Sequence, residues 1–352
     1  MDGFTVPVGG FICGCLAGFA AQYGRLCTVG AIEDALVAGD FRRARAWALA
    51  AAIAILLTQA LVLTDVLDLS ATHYVHPTLD LVGLVGGGLL FGLGAALVGT
   101  CAFGLLVRIG TGDLRALVSA IILGLSAFAA TGGILSPIRS RFAEIATVDT
   151  LPFGGKTLTG IAGAQFGKPF AVLSALLVAG ALLAFGLTNQ RLHRKPRLLA
   201  ASCLMGGAVA CGWVVTGLLA DPFDAQRPES LTFVAPLGRL VLQIMGEALS
   251  STGFAVAMVF GVAAGSFAAA ASREELRWEA FDDQREMRRH LLGAVLMGIG
   301  GVLARGCTIG QGLTGTSTLS IAAPIAVLAM VAGARLGLSH LIEGRSLFAR
   351  RR

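Results

Sequence analysis

Long apolar stretches follow one another along almost the whole chain, and most charged residues lie in the short segments between them. Nine stretches approach the ~20 residues that a helix needs to cross a bilayer. They occupy about 4–23, 44–64, 78–100, 114–135, 169–188, 198–219, 250–272, 290–305 and 318–340. Another stretch, 237–249, is too short to span and is predicted to be a half-helix that dips into the membrane. The pattern predicts an all-α integral membrane protein with about nine transmembrane helices and short re-entrant helices.

Basic clusters follow every odd-numbered stretch. Their members are Arg42, Arg43 and Arg45; Arg108 and Arg115; Arg191, Arg194, Lys195 and Arg197; Arg285, Arg288 and Arg289; and Arg345, Arg350, Arg351 and Arg352. The segments 65–80 and 220–236, on the opposite side, hold one arginine between them. Because basic loops stay in the cytoplasm, this alternation predicts an external N-terminus and a cytoplasmic C-terminus. A prokaryotic inner (plasma) membrane is the simplest location.

One basic segment departs from this alternation. Residues 136–168 fall on the predicted outer side, although they contain Arg139, Arg141, Lys156 and Lys168. Two interpretations remain open: a solvated loop, or a basic surface that attracts an anion.

Composition supports a membrane location over a soluble one. Of the 352 residues, 55% are hydrophobic and only 14% are charged, whereas a soluble domain has about 25% charged residues. The net charge of +6 comes from short clusters between apolar stretches, and no basic segment is interleaved with aromatic residues. Nucleic acid is therefore excluded as a partner.

The pattern Gly-x-[Gly/Ala]-x₆-Cys-x-x-Gly occurs three times. The copies begin at Gly18, Gly92 and Gly298, place their cysteines at Cys27, Cys101 and Cys307, and end at Gly30, Gly104 and Gly310. The first and third copies agree further, since residues 25–30 read RLCTVG and residues 305–310 read RGCTIG. Repeats this far apart indicate internal duplication, which is the usual architecture of transporters.

The second copy follows an odd-numbered apolar stretch, and the third follows an even-numbered one, so they lie near opposite faces of the membrane. This placement predicts two inverted, pseudo-symmetric halves. We place the halves at 1–190 and 198–352, with the basic linker between them. A fourth copy is expected near residues 206–213, in degenerate form or absent. Each complete copy lies where an apolar run gives way to Gly, Thr and Arg, which predicts re-entrant loops whose helix N-termini favour an anion.

The seven cysteines allow three kinds of chemistry. A metal site or a dithiol redox centre favours Cys-x-x-Cys or clustered ligands, and the sequence has neither. Separate thiols can instead act as weak S–H donors to a sulfur-bearing ligand. We assign that role to the three repeated cysteines, and we interpret Cys13, Cys15, Cys203 and Cys211 as packing residues. No cofactor is predicted.

Further donors surround the repeated cysteines. Arg25 and Arg305 each precede a cysteine by two positions and are expected to attract an anion. The complete predicted pathway consists of Cys27, Cys101, Cys307, Arg25, Arg305, Thr28, Gly30, Gly104, Thr308, Gly310, Gln311 and Ser317.

At these residues the chain resembles the YeeE/YedE sulfur-transport family. Residues 304–318, ARGCTIGQGLTGTST, carry the most specific similarity, and 24–27, 87–117 and 230–239 resemble family segments as well. The resemblance implies a permease that takes up thiosulfate through a constriction between re-entrant loops. It also implies S–H hydrogen bonding of the substrate by Cys27, Cys101 and Cys307. Some relatives work with a small TusA-like sulfur-carrier protein, and others are linked to selenium metabolism.

The sequence thus predicts a lipid-embedded importer of thiosulfate or a related sulfur anion, and not an enzyme. Three alternatives stay open: a membrane sulfurtransferase that carries a cysteine persulfide, a transporter of a selenium compound, and a soft-metal channel.

Overall fold

The computed structural model describes residues 4–69, 72–75, 78–137, 139–140, 147–149, 157–218, 227–246 and 253–343. The helices are α1 Thr5–Gly24, α2 Thr28–Val37, α3 Arg42–Leu63, α4 Leu81–Val98, α5 Ala102–Thr111, α6 Leu114–Thr131, α7 Leu158–Phe166, α8 Lys168–Leu187, α9 Gln190–His193, α10 Pro196–Leu218, α11 Val234–Met245, α12 Phe254–Ala271, α13 Gln284–Leu303, the π-helix Gly310–Gly315, and α14 Ala322–Glu343. Strands β1 Thr78–Asp80 and β2 Thr147–Asp149 pair antiparallel, with Leu79 opposite Val148.

Eight segments of the described chain are long and apolar enough to cross a membrane, so the prediction of an all-α membrane protein is confirmed. Helix α13 is also 20 residues long, but its first two turns carry Arg285, Glu286, Arg288 and Arg289 and lie outside the apolar zone. The half-helix predicted at 237–249 corresponds to α11, which has 12 residues and begins three positions earlier.

The long helices pair in a regular way. Helix α1 packs on α12 and α10, and α3 packs on α10; in the same manner α4 packs on α14 and α13, and α6 packs on α13. In the predicted duplication, α1 corresponds to α10 and α3 to α12, so the contact α1–α12 matches the contact α3–α10. Likewise α4 corresponds to α13 and α6 to α14, so the contact α4–α14 matches the contact α6–α13. This is the pairing that a duplicated architecture leads one to expect, and the duplication itself stays a prediction.

The fourth copy of the motif is not a helix break. Residues 206–213 lie in the middle of α10, which runs without interruption from Pro196 to Leu218. Gly206 serves packing there, since a Cβ on it would lie 2.7 Å from the carbonyl oxygen of Ala50 in α3. The short helix of this region is α11, which follows the loop 227–233 instead.

A row of glycines lets α1 lie directly on α12. A Cβ at Gly10, Gly14 or Gly18 would overlap the backbone of α12, and at the last two positions the overlapped atoms are the carbonyl oxygens of Met258 and Val262. Small residues at four-residue spacing bring helix backbones together in lipid, where packing replaces the hydrophobic driving force. This seam fixes α1 and therefore the first cysteine motif at its end.

We expect Gly14→Ala to destabilise the protein, because the added methyl group meets backbone that cannot move aside. Overpacking of this kind typically costs about 1–3 kcal/mol. Gly207→Ala in α10 is the matched control, since nothing lies within 4 Å of a Cβ built there. Thermal unfolding in detergent should show a melting temperature lowered by several degrees for the first variant only. Equal melting temperatures would contradict the tight seam.

Candidate functional site

Each cysteine motif folds as a long helix, a sharp turn and a second helix. The residue two positions before the cysteine takes a left-handed conformation in all three: Arg25 has φ 52°, Gly99 has φ 78° and Arg305 has φ 55°. Non-glycine residues rarely adopt this conformation. The turn ends α1, α4 and α13, respectively, and the cysteine then begins the next helix.

The three cysteines occupy helix N-terminal positions but differ in their hydrogen bonds. Cys27 Sγ accepts the N–H of Gly30 at 3.4 Å, and Cys307 Sγ accepts the N–H of Gly310 at 3.3 Å. Cys101 makes no side-chain capping bond. A sulfur that accepts a backbone N–H keeps its own S–H available as a donor. All three thiols can therefore donate weakly to a ligand near exposed helix N-termini.

The first and third motifs meet at the centre of the protein. The hydroxyls of Thr28 and Thr308, which directly follow the two cysteines, lie 3.5 Å apart. Cys101 and Cys307 belong to the same buried core cluster, and Cys27 packs against that cluster. Cys307 and Cys101 are buried at 0% and 2% exposure, whereas Cys27 is partly exposed. The three cysteines thus lie in one region of the core.

A cavity of about 780 Å³ opens beside the third motif, and we name it the Arg305 cavity. It lies at the N-terminal end of α12, next to Gly253, and at the C-terminal ends of α6 and α13. Its charged lining consists of Arg139, Arg227, Arg239, Arg305 and Glu229. Four guanidinium groups against one carboxylate make it a strongly basic vestibule, in which an anion is concentrated.

The titratable groups of this cavity leave its charge positive. Glu229 pairs with Arg239 at 3.5 Å, and burial raises the pKa of Glu229 although the arginine opposes that rise. Burial and the neighbouring arginines lower the pKa of His73 to about 4, so this imidazole is neutral at pH 7. Arg305 donates to the Thr78 carbonyl at 3.5 Å and has no ion-pair partner among the described side chains.

A second cavity, of about 460 Å³, contains Cys27 and Cys101 in its wall. This Cys27 cavity lies beside residues 274–277, just beyond the other end of α12. Because α12 has 18 residues and a helix rises about 1.5 Å per residue, the two cavities lie at helix ends that are about 27 Å apart.

Arg25 is already paired at the Cys27 cavity. Its guanidinium lies 3.1 Å from Glu275, and the arginine side chain is 69% exposed. Partial burial alone raises the pKa of Glu275, but hydrogen bonds from Arg25 and Gln22 and the charge of Arg273 reverse the shift and lower it. Arg25 and Arg305 thus have equal places in the repeat and different surroundings.

Two aromatic rings, which were not among the predicted pathway residues, pack against each other close to both cavities. Phe103 lines the Cys27 cavity, while Phe233 stands between Thr232 and Val234, which line the Arg305 cavity. The ring centroids are 4.9 Å apart, and both side chains are almost completely buried. They form a buried apolar contact, and Phe103 lies two residues after Cys101. Two sequence signals could have identified them: Phe103 lies close to Cys101, and Phe233 lies in segment 230–239, which resembles a family segment.

Several predicted pathway residues are engaged in holding the turns. The Gln311 amide donates to the carbonyls of Ala304 and Arg305 at 2.8 and 3.1 Å, which fixes the left-handed turn. The Ser317 hydroxyl donates to Thr314 and accepts from the Trp213 indole. Both side chains are buried. The structure places them behind the site, and their direct contact with substrate stays a prediction.

The motif glycines provide space beside the thiols. A Cβ at Gly104 would overlap the Thr100 hydroxyl, and one at Gly310 would lie 3.0 Å from both the Thr232 and Tyr74 hydroxyls. A Cβ at Gly30 would lie 2.6 Å from the Arg43 guanidinium.

In the described part of the chain, no three His, Cys, Asp or Glu side chains gather as metal ligands.

The chain is similar to proteins named as transporters. A family model described as sulphur transport matches residues 23–336. The thiosulfate transporter TsuA of Escherichia coli is 27% identical over 343 residues, which cover 94% of this chain and 93% of that protein. The thiosulfate transporter TsuA of Spirochaeta thermophila is 27% identical over 331 residues, or 92% of this chain and 96% of the relative. This chain belongs to the sulfur-transport family.

Proposed function

We propose that this protein imports thiosulfate, or a closely related sulfur anion, across the inner membrane. The observation that carries the proposal is a pair of cavities at opposite ends of α12: Cys27 and Cys101 line one of them, and Arg305 and Gly306, which directly precede Cys307, line the other. Both cavities contain arginines, so both favour an anion. The two relatives named as thiosulfate transporters support this choice of substrate.

We order the thiols as Cys307, Cys101 and Cys27. The anion enters the Arg305 cavity, where Arg305 and Gly306 line the wall next to Cys307. Cys101 and Cys27 both line the exit cavity, and Cys101 is the more deeply buried of the two. The burial of the first two and the partial exposure of the third support this order.

Thiosulfate suits this group because its two ends differ. The terminal sulfur accepts weak S–H hydrogen bonds, and the oxygens accept N–H bonds at helix N-termini and hydroxyl bonds from Thr28 and Thr308. Successive weak sites allow entry and release, whereas one strong site would trap the anion. The apolar contact between Phe103 and Phe233 keeps water and smaller hydrated ions from passing freely.

The distribution of charge supports an orientation of the protein in the membrane. Arg43, Arg273 and Arg277 lie at the Cys27-cavity end of the helices, which supports the cytoplasmic side under the positive-inside rule. The N-terminus is then external and the C-terminus cytoplasmic. A small TusA-like sulfur-carrier protein is the proposed recipient at this exit.

Uptake of radiolabelled thiosulfate tests the proposal in cells that lack their own thiosulfate import. We expect uptake above the empty-vector level, and we expect little inhibition by a large excess of sulfate, because sulfate has the charge but not the terminal sulfur. Unlabelled thiosulfate in the same excess is the positive control for competition. Equal inhibition by both anions would show that charge, and not thiol recognition, selects the substrate.

A further inference from the structure

A fourth thiol contact lies outside the proposed pathway. Cys13 in α1 and Cys211 in α10 have their sulfur atoms 2.9 Å apart, although the residues are 198 positions apart in sequence. Neither belongs to a helix break or lines the Arg305 cavity or the Cys27 cavity. Packing alone does not require two thiols to face each other, so the pair needs another explanation.

The surrounding helices hold these thiols together. A Cβ at Gly9 would overlap the Val215 side chain, and one at Gly24 would overlap the Ala201 side chain. These contacts give α1 and α10 an antiparallel register in which Cys13 stands opposite Cys211. Both backbones are therefore fixed on either side of the thiol pair, whose sulfur atoms at 2.9 Å are roughly 0.9 Å farther apart than in a disulfide bond.

The two thiols differ in accessibility. Cys13 is completely buried, whereas Cys211 is partly exposed at the surface of the bundle. A small neutral oxidant that enters the bilayer thus reaches Cys211 first and leaves Cys13 as the second, resolving thiol. This arrangement of an accessible cysteine beside a buried one is typical of oxidation-sensitive pairs.

We propose that Cys13 and Cys211 form an oxidation site that closes to an intramolecular disulfide with a peroxide. The Cys211 sulfur attacks the O–O bond, an S–O bond forms, and the departing oxygen leaves as water with the thiol proton. Cys13 then attacks that sulfur, the S–S bond forms, the S–O bond breaks, and a second water leaves with the Cys13 proton. Two thiols lose two electrons in total, and one peroxide is reduced to two waters.

The disulfide connects the two predicted halves. It fastens α1, which ends at the Arg25 turn, to α10 in the C-terminal half. The cross-link restricts the unfolded chain over a very long loop and so stabilises the folded protein. The inference does not depend on the transported substrate, because neither cysteine takes part in the proposed thiol route.

Hydrogen peroxide treatment of the full-length protein in lipid nanodiscs tests the proposal. After denaturation and alkylation, we expect the protein to show two fewer alkylated thiols, and peptide mapping to find Cys13 joined to Cys211. The matched control is Cys203→Ser, two turns earlier on α10 and exposed, which should form the same cross-link. Cys211→Ser should leave Cys13 fully alkylated.

A second measurement, the melting temperature of the wild type, tests the proposal even if a cysteine variant fails to fold. Oxidised protein should melt several degrees higher than the same protein after reduction, and Cys211→Ser should show no such difference. Cross-links confined to Cys27, Cys101 and Cys307, with Cys13 and Cys211 still alkylated, would overturn the proposal, as would identical melting of oxidised and reduced wild type.

Discussion

Replacement of Cys101 by alanine is expected to reduce thiosulfate uptake by about 10- to 100-fold, the range for loss of a buried hydrogen-bond donor. Cys101 lines the same cavity as Cys27 and lies two residues before Phe103, whose ring packs on Phe233. It makes no capping bond within the protein. Its removal therefore takes away a donor to the substrate and leaves the local backbone bonds intact.

The experiment compares labelled-thiosulfate uptake by wild type, Cys101→Ala and Cys203→Ala at equal amounts of protein in the membrane. Cys203 is exposed on the outer surface of α10, so its alanine variant should transport like the wild type. Full uptake by Cys101→Ala would remove the central thiol from the pathway. A one-sulfur mass increase on Cys101 after thiosulfate treatment would instead support the persulfide-forming sulfurtransferase.

Cys27 and Cys307 give a less direct test because each sulfur also accepts a backbone N–H. Alanine at either position removes the helix cap together with the thiol, and loss of a cap typically costs about 1 kcal/mol. Serine keeps a capping oxygen and a hydroxyl donor. Serine variants at these two positions therefore separate the structural role of the sulfur from its contact with the substrate.

The repeat in the sequence was sufficient to locate the three helix breaks. Alignment of the copies places Arg25, Gly99 and Arg305 at the same position, and glycine in one copy was a sign that the backbone there is left-handed. The structure shows that shared geometry directly. Local spacing determines a turn of this kind, because the turn depends on a few adjacent residues and on the cap that follows.

The contacts between distant segments could not be predicted in the same way. Phe103 and Phe233 meet across the cavities, and Cys13 and Cys211 meet across two helices. Both pairs depend on how α1, α5, α10 and α11 pack, which periodicity does not determine. The fourth copy was expected to be degenerate or absent, and the structure shows no turn at that place, since the glycine at position 206 serves close packing on α3.

The different roles of the two repeat arginines could not be predicted from the sequence either, since identical sequence positions have different electrostatic surroundings. Arg25 is largely exposed and pairs with Glu275, which also pairs with Arg273 at 3.2 Å. Arg305 faces a basic cavity and has no ion-pair partner among the described residues. A guanidinium without a carboxylate is free to bind an anion, whereas a paired one must first give up its partner.

Arg305→Gln is therefore expected to raise the KM for thiosulfate by about 10- to 150-fold, which corresponds to the loss of a charge-assisted hydrogen bond of about 1.5–3 kcal/mol. Arg25→Gln is the matched control at the equivalent left-handed position, and its KM should change less than about threefold, as expected for an exposed ion pair. Glutamine is no easier than arginine to accommodate at φ near 55°, so both variants keep the same backbone strain.

The concentration dependence of uptake, measured at low and high salt, gives both KM values. The Arg305 effect should shrink at high salt, because screening weakens attraction into the vestibule. Equal changes in KM for the two variants would contradict entry through the Arg305 cavity and would favour a pathway in which the two motifs act alike.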